Sequence, residues 1–386
     1  MSDPEPRAER RAVRARVARV EVPRPAPVAA LAAAPAGPSA REVAPPRLAR
    51  YELVLPSGRE VGVNLCGQGV PLVVIHGFGG EGILYAQSLA RLVRSGFKVI
   101  TIDAPGHGRS GAVPLWSGFD RYTSLVAETL DHLGVRRAVL VGHSMGGRVV
   151  SELAAEEPHR VLAVCLIDAI VGEVWDRMVG LFRAVPPLYA AFGMGLLADT
   201  ASTLPLWGDP AQAWKLARLL TPTSAGHVLR PWRMAGPVLT ILRAPSSDAV
   251  LGRLHDHGVA TFVIHGDSDV LVPLRNARAA AERTHGHLVT VHGARHSWLL
   301  SDPETLPALL AELQRGPLGD ALRTALAPLG VAVGEDGSFA VGEAEAACCR
   351  ADAPVHALTP DATPVPLRRR HRPPRYRWSI EPPAPG

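Results

Sequence analysis

Residues 138–147 constrain the fold more than any other part of the chain. Their sequence reads A-V-L-V-G-H-S-M-G-G, so four apolar residues run directly into a glycine-flanked serine, Ser144. A helix-forming run, residues 148–156, follows at once. Glycines two positions before and two positions after the serine allow a strand and a helix to approach each other without a Cβ clash. The pattern predicts a buried strand, a sharp turn that presents the Ser144 hydroxyl, and a helix.

Short apolar segments alternate with helical segments on both sides of this turn. A hairpin is predicted at 51–66, a wholly apolar strand at 71–75, further strands at 97–102, 161–167, 260–265 and 288–292, and helices at 83–94, 119–133, 274–285 and 303–313. Apolar strands that are separated by helices indicate a parallel sheet covered on both faces. The sequence therefore predicts an α/β protein with a doubly wound, mostly parallel sheet, whose loops at the strand ends form the site.

The G-H-S-M-G-G sequence at residues 142–147, between its strand and its helix, resembles the nucleophile turn of the α/β-hydrolase superfamily. This variant is common among lipases, esterases and related acyl hydrolases. The resemblance implies eight strands, a helical cap inserted after the sixth strand, and catalytic residues in the chain order serine, acid, histidine. Ser144 is then the expected nucleophile.

The other two catalytic positions follow separate strands. A serine hydroxyl needs an adjacent histidine, which is itself held by a carboxylate. Asp269 lies in a G-x-x-D loop after the strand at 260–265, which resembles the acid loop of the family, and His296 follows the last strand, where the base of the family belongs. Asp168, directly after the strand at 161–167, is a second candidate for the acid. We expect a triad of Ser144, Asp269 and His296, because Asp269 has the better local match.

Acyl transfer passes through an oxyanion that two backbone N–H groups can stabilise. The family pattern assigns one of them to Met145, which follows the nucleophile, and the second to the H-G-F-G turn at 76–79, with Phe78 as the expected donor. A serine nucleophile argues against haloalkane dehalogenases and epoxide hydrolases, which use a carboxylate. Neither metal-ligand spacing nor a phosphate-binding loop occurs, so we expect no cofactor and no metal.

Composition divides the chain into five segments. Residues 1–46 form an Arg-, Pro- and Ala-rich arm that we expect to be disordered, 47–168 and 259–316 the two parts of the hydrolase core, 169–258 an aromatic-rich helical cap, and 317–386 a C-terminal extension. Within the extension, residues 331–333 and 338–341 are candidates for a hairpin, and the remainder, including 368–375, is expected to be a basic, Pro-rich tail.

No apolar run of about 18 residues is present, so we expect no membrane span. Prolines interrupt the apolar stretch at 23–35, which argues against a secretion signal, and the four cysteines lack disulfide or metal spacing, so a cytoplasmic location is expected. Valines at helical spacing among the arginines of residues 10–20 allow weak contact of the arm with an anionic membrane surface, although a solvated arm is the favoured alternative. No nucleic-acid partner is expected.

These features together predict a capped serine hydrolase. Its expected partner is a small apolar substrate, a carboxylic ester or thioester with an apolar acyl or aryl group. Carbon–carbon bond hydrolases, acyltransferases and cofactor-free haloperoxidases use the same triad and stay open as alternatives. A non-catalytic ligand-binding or interaction protein on the same scaffold is the alternative from a different class. Cap loops select the substrate, and no rule relates their sequence to a ligand.

Overall fold

A nine-stranded sheet lies at the centre of the computed structural model, which describes residues 43–44, 47–202, 210–360, 365–366 and 373–383. The strands are β1 (Ala49–Val54), β2 (Glu60–Cys66), β3 (Val70–Ile75), β4 (Phe97–Ile102), β5 (Ala138–His143), β6 (Val161–Ile167), β7 (Thr261–Gly266), β8 (His287–His292) and β9 (Arg377–Glu381). Their order across the sheet is β9-β8-β7-β6-β5-β3-β4-β2-β1. Strands β3 to β8 are parallel to one another, and antiparallel pairs form both edges. The predicted doubly wound, mostly parallel sheet is confirmed, with one strand more than the eight expected.

Helices cover both faces of this sheet. They are α1 (Ala86–Leu92), α2 (Asp120–Leu133), α3 (Met145–Glu156), α4 (Glu173–Ala184), α5 (Pro186–Ser202), α6 (Pro210–Leu229), α7 (Trp232–Arg243), α8 (Asp248–Asp256), α9 (Leu274–Thr284), α10 (Trp298–Ser301), α11 (Thr305–Gln314), α12 (Pro317–Leu326), α13 (Val341–Cys348) and α14 (Pro354–Leu358). Side chains alternate along each strand, so Val73 and Ile75 of β3 join one buried cluster and Leu72 and Val74 join the other. The first cluster includes α2, α3, α8 and α9, and the second includes α1, α11, α12 and α13.

The helical insertion after β6 is shorter than predicted. Helices α4 to α7 connect β6 to α8, but α8 itself packs against α3 and α9. Its apolar side chains, Val250, Leu251 and Leu254, are buried in the same cluster as those of α3. The cap therefore ends near Arg243, whereas the sequence analysis extends it to residue 258. No strand separates the cap helices from α8, so the sequence has no signal for this boundary. The predicted cap therefore includes α8, which is a core helix.

The C-terminal extension continues the core instead of leaving it at residue 316. Leu318, Leu322 and Leu326 of α12 are fully buried beside the sheet, and α13 packs against β3. β9 pairs antiparallel with β8 and becomes the edge strand. The prediction of a basic, Pro-rich tail is therefore wrong for residues 377–381, and residues 367–372 lie outside the described part. Tyr376, Trp378 and Ile380 alternate with polar residues and pack on one cluster, a period-2 pattern that the neighbouring arginines obscured.

The predicted hairpin of the extension is reduced to a single bridge between Val333 and Phe339. Residues 334–337 make the expected turn, in which Gly334 N–H donates to Ser338 O at 2.8 Å. The second arm is too short to extend the ladder because Val341 already begins α13. The Arg323 guanidinium donates to the carbonyl oxygens of Val333 and Gly334, which ties this turn to α12.

A buried ion pair joins the extension to the sheet. Lys98 on β4 is 1% exposed, and its Nζ lies 3.0 Å from Oε1 of Glu345 on α13 and 2.7 Å from Oγ1 of Thr359. The second Glu345 oxygen accepts the N–H of Gly69 at 2.8 Å.

Of the helices that the structure describes, none is long and apolar enough to cross a membrane. The N-terminal arm lies outside the described residues apart from 43–44, so its membrane contact stays a prediction.

We expect Glu345→Ala to lower the free energy of unfolding by about 3–5 kcal/mol, because it leaves the Lys98 ammonium buried without its carboxylate. Urea denaturation measures this loss. The control is Asp320→Ala, which removes an exposed ion pair with Arg323 and should cost less than about 1 kcal/mol. Equal losses in the two variants would contradict an anchoring role for the Lys98–Glu345 pair.

Candidate active site

The turn between β5 and α3 holds Ser144 at φ 53° and ψ −117°, a conformation that L-residues adopt only under strain. Close backbone contacts require glycine at both flanking positions, 142 and 146. A Cβ on Gly142 would lie 2.3 Å from the carbonyl oxygen of Gly146, and a Cβ on Gly146 would lie 2.1 Å from that of Ile75. The strand, sharp turn and helix that the sequence predicts are therefore present, and the turn places the Ser144 hydroxyl at the carboxyl end of the sheet.

The structure brings Ser144, His296 and Asp269 together. The Ser144 hydroxyl lies 3.0 Å from Nε2 of His296, and Nδ1 of His296 lies 2.7 Å from Oδ2 of Asp269. The other carboxylate oxygen of Asp269 accepts the N–H groups of Leu271 and Val272 at 2.8 and 2.9 Å. These bonds fix the carboxylate, so in the neutral form of His296 Nδ1 carries the proton and Nε2 is left to accept from the serine.

Opposing effects set the charge of this pair. Burial disfavours the imidazolium of His296, but the Asp269 carboxylate, with smaller contributions from Asp168 and Asp199, overrides burial and raises the pKa of His296 to about 9. Burial likewise opposes ionisation of Asp269, yet His296 and the hydrogen bond between them keep its pKa below the usual value. The pair therefore favours a proton on the imidazole and a negative charge on the carboxylate.

Asp168, the second candidate for the acid, binds other donors, whereas Asp269 occupies Nδ1 of His296. Its two oxygens accept the N–H of Gly266 at 2.9 Å and the indole N–H of Trp298 at 2.7 Å. Burial, together with the negative charge of Asp269, raises the pKa of Asp168 to about 6, while His265 opposes that shift. These contacts give Asp168 the role of a buried acceptor that joins β7 to the segment after His296.

Asp168, His265 and Asp269 are also close enough to be examined as a metal site, since one ligand atom from each lies within 4.8 Å of the others. Nε2 of His265 donates to the carbonyl oxygen of Val272 at 2.7 Å, and the four carboxylate oxygens already accept hydrogen bonds. A cation here would compete with those donors for the carboxylate oxygens. The cluster fits a hydrogen-bonded network better than a coordination sphere.

A second histidine supports the His296 backbone. Nε2 of His143 donates to the carbonyl oxygen of His296 at 3.0 Å, and Nδ1 of His143 accepts from the Tyr85 hydroxyl at 2.9 Å. Burial, aided by the nearby His296, lowers the pKa of His143 to about 3, so this ring stays neutral. No local sequence pattern indicates this role for Tyr85, because a tyrosine in a helical segment has no signal for a contact with a distant histidine.

Both expected oxyanion donors lie at the same cavity as Ser144 and His296. Phe78 and Met145 are among its lining residues. Met145 is the first residue of α3, where backbone N–H groups have no acceptor within the helix. The close packing of Gly77 on Ser144 brings the Phe78 turn to the nucleophile, since a Cβ on Gly77 would lie 3.0 Å from Cβ of Ser144.

The cavity above Ser144 has a volume of about 200 Å³ and a mostly apolar wall. Of the described residues that line it, none carries a carboxylate, guanidinium or ammonium group. Its cap residues are Trp175, Tyr189, Ala190, Phe192, Gly193, Leu196, Val238 and Ile241. Phe182 packs behind Trp175 and Phe192, whereas Met194, Trp214 and Trp232 are exposed and Trp207 lies outside the described residues. Only some of the cap aromatics therefore form the wall.

Comparison with known proteins places this arrangement in a family. The sequence model of the family described as alpha/beta hydrolase fold matches residues 70–303, more than half of the chain. The chain belongs to the α/β-hydrolase fold family. The match contains β3 to β8, the cap and all three triad positions, and it ends before the C-terminal extension.

Relatives of this α/β-hydrolase have several activities in their names. It is 34% identical over 266 residues to a protein of Mycobacterium phage D29 that is named as a candidate non-heme haloperoxidase, over 67% of this chain and 92% of that protein. It is 29% identical over 245 residues to the dihydrolipoyllysine-residue acetyltransferase component of an acetoin cleaving system from Pseudomonas putida, over 58% of this chain and 60% of that protein. A solved carboxylesterase structure from Nitrososphaera gargenis has a TM-score of 0.55 at 22% identity, over 71% of this chain and 100% of that one, which shows a shared fold.

We expect the pKa of His296 to lie above the usual imidazole value in this α/β-hydrolase and to fall below about 6.5 in Asp269→Asn, because burial is then opposed only by the smaller effects of Asp168 and Asp199. NMR titration of labelled histidine rings measures both values. The matched control, Asp168→Asn, keeps the hydrogen bond at Nδ1 and should lower the pKa less. Equal shifts would show that Asp269 is not the dominant partner of His296.

Proposed function

We propose that this α/β-hydrolase is a serine hydrolase that cleaves a carboxylic ester or thioester with an apolar acyl or aryl group. One observation carries the proposal: the Ser144 hydroxyl lies within hydrogen-bond distance of a carboxylate-paired His296, and both open onto an apolar cavity. A nucleophile, its base and an orienting acid are the groups that acyl transfer requires.

In the acylation step, Oγ of Ser144 attacks the carbonyl carbon of the substrate while its proton passes to Nε2 of His296. The carbonyl π electrons move to the oxygen, and the backbone N–H groups of Phe78 and Met145 are the proposed donors to that oxyanion, each worth about 3 kcal/mol. When the intermediate collapses, the bond to the leaving oxygen or sulfur breaks. That atom takes the proton from Nε2, and the acyl group stays on Ser144.

Hydrolysis of the acyl-enzyme repeats these steps with water. Nε2 of His296 removes a proton from water as its oxygen attacks the acyl carbon, and the same two N–H groups receive the new oxyanion. The bond between the acyl carbon and Oγ then breaks, and Oγ recovers its proton from Nε2. Asp269 keeps its negative charge throughout, since its role is to hold the imidazole and stabilise the imidazolium.

The apolar acyl preference rests on the wall of the cavity. Trp175, Phe192 and Leu196 supply apolar surface, and burial raises the pKa of Tyr189 to about 12, so its hydroxyl stays protonated. An apolar group is stabilised there by about 25 cal/mol for each Å² that it removes from water, whereas a charged acyl group would lose its hydration without a partner.

The four cysteine thiols are buried and unpaired, which supports a cytoplasmic setting as part of the proposal.

A cofactor-free haloperoxidase is the second candidate. The similarity to the phage protein named for that activity favours it, because this match covers 92% of that relative. In that case hydrogen peroxide takes the place of water as the nucleophile that attacks the acyl group on Ser144. Peroxide- and bromide-dependent bromination, compared with ester hydrolysis under the same conditions, separates the two candidates.

We expect a fluorophosphonate probe to label Ser144 and p-nitrophenyl butyrate to be hydrolysed. Ser144→Ala should abolish labelling and lower turnover by about 10⁴ to 10⁶, because the triad members act as a unit. Circular dichroism and thermal melting verify that the variant is folded. A folded wild-type protein that is neither labelled nor active would favour the non-catalytic alternative, and a Ser144→Ala variant that retains a tenth of the activity would remove Ser144 as the nucleophile.

The acyl pocket is tested at a glycine in its wall. Gly193 has no atom within 4 Å of a built Cβ, so Gly193→Leu should fold while its side chain narrows the cavity. We expect kcat/KM for octanoate esters to fall at least tenfold relative to acetate esters. The matched control is Gly180→Leu, another cap-helix glycine with open space at its Cβ but outside the wall. An unchanged chain-length profile in Gly193→Leu would place the acyl group elsewhere.

A further inference from the structure

The end of cap helix α5 contacts the segment that holds His296. Oδ2 of Asp199 accepts the N–H of Ser297 at 2.8 Å, and Oγ1 of Thr200 lies 3.2 Å from Oγ of Ser297. One residue before His296, Nη1 of Arg295 donates to Oγ of Ser202 at 3.4 Å. The residues on both sides of His296 are therefore bound by three residues of one helix, a contact that no local sequence pattern indicates.

Asp199 lies in a position where its carboxylate is expected to lower the stability of the fold. Its side chain is buried, and Oδ1 has no hydrogen-bond partner among the residues that the structure describes. A buried carboxylate with an unsatisfied oxygen is costly. Asp199 is the one charged residue in the sequence of α5, so a compensating role near the site is indicated.

The same helix lines the substrate cavity. Tyr189, Phe192 and Leu196 of α5 form part of the wall above Ser144. Asp199 follows Leu196 by three positions and Phe192 by seven, so these side chains share one face of the helix. One face of α5 therefore contacts both the loop that carries His296 and any group that occupies the cavity.

We propose that Asp199 is a positioning residue, through which cap helix α5 holds the His296 segment and adds a third carboxylate, beside Asp269 and Asp168, that stabilises the imidazolium. The inference deepens the proposed function and rests on it, because it assigns His296 the role of the base. Asp199 itself touches neither Ser144 nor the reacting atoms. It acts through the Ser297 backbone and through its charge.

The charged and titratable groups around His296 define the test. They are Asp269 from the loop before α9, Asp168 at the end of β6, His143 at the end of β5, Asp199 on α5 and Arg295 on the His296 segment itself. Burial opposes the imidazolium, and the three carboxylates favour it. Removal of the Asp199 charge should therefore lower the pKa of His296.

Two substitutions separate charge from hydrogen bonding. Asp199→Asn keeps an oxygen that accepts the Ser297 N–H and loses only the charge, whereas Asp199→Ala loses both. We expect NMR titration to show the pKa of His296 lowered by about half a unit or more in each variant. With an ester substrate, the rising limb of kcat/KM against pH should move to lower pH by a similar amount, because the neutral imidazole is the active form. We expect kcat to fall at least tenfold in Asp199→Ala and to be largely rescued in Asp199→Asn.

The control is Asp176→Asn, since Asp176 is a cap carboxylate that accepts hydrogen bonds from Ser246 and Ser247 and does not face His296. It should leave the pKa of His296 unchanged. A folded Asp199→Asn variant with the wild-type pKa would overturn the proposal, as would an equal shift in the control. The NMR arm needs no turnover, so a wild-type protein without labelling or activity would contradict the proposed function separately.

Discussion

The close contact between Gly146 and the carbonyl oxygen of Ile75 is the constraint on which the rest of the site depends. It fixes the start of α3 against the end of β3, and this holds Ser144 at a positive φ in the turn between β5 and α3. Because β3 and β5 are neighbours, the same contact places the Phe78 turn, which follows β3, beside Ser144. The strain at Ser144 is tolerated since the buried strands on both sides leave the turn no alternative conformation.

The parallel sheet explains why the sequence could predict that Ser144, Asp269 and His296 lie together. Ser144, Asp269 and His296 each follow an apolar strand, and the carboxyl ends of parallel strands meet at one edge. Local patterns therefore suffice to place three residues that are far apart in the chain. Asp168 follows a strand as well, so sequence alone left it as a rival. The rotation of its carboxylate toward the Trp298 indole distinguishes the two, and side-chain direction in a loop has no sequence signature.

The features that the sequence did not predict depend on contacts between distant segments. β9 is a strand of five residues beside a basic stretch. Its alternation of apolar and polar residues indicates a strand only when the pairing with β8 is known. Strand β8 leads directly to the His296 segment, so the extension covers the sheet edge next to the base and leaves that edge without open N–H and C=O groups along β8. The contact between Asp199 and Ser297 also joins distant segments. A single aspartate in an apolar helix has no local sequence pattern that indicates such a partner.

Asp168 and Asp269, two buried carboxylates beside His296, also affect the order in which the site takes up protons. His296, with its pKa raised to about 9, is protonated first as the pH falls. Asp168, raised to about 6 by burial and by the charge of Asp269, follows. Asp269 keeps a pKa below its usual value because His296, Leu271 and Val272 all donate to it. Acid therefore neutralises Asp168 before it neutralises Asp269, the carboxylate that binds Nδ1 of His296. The ion pair and hydrogen bond between the His296 imidazolium and Asp269 are thus retained after Asp168 has lost its charge.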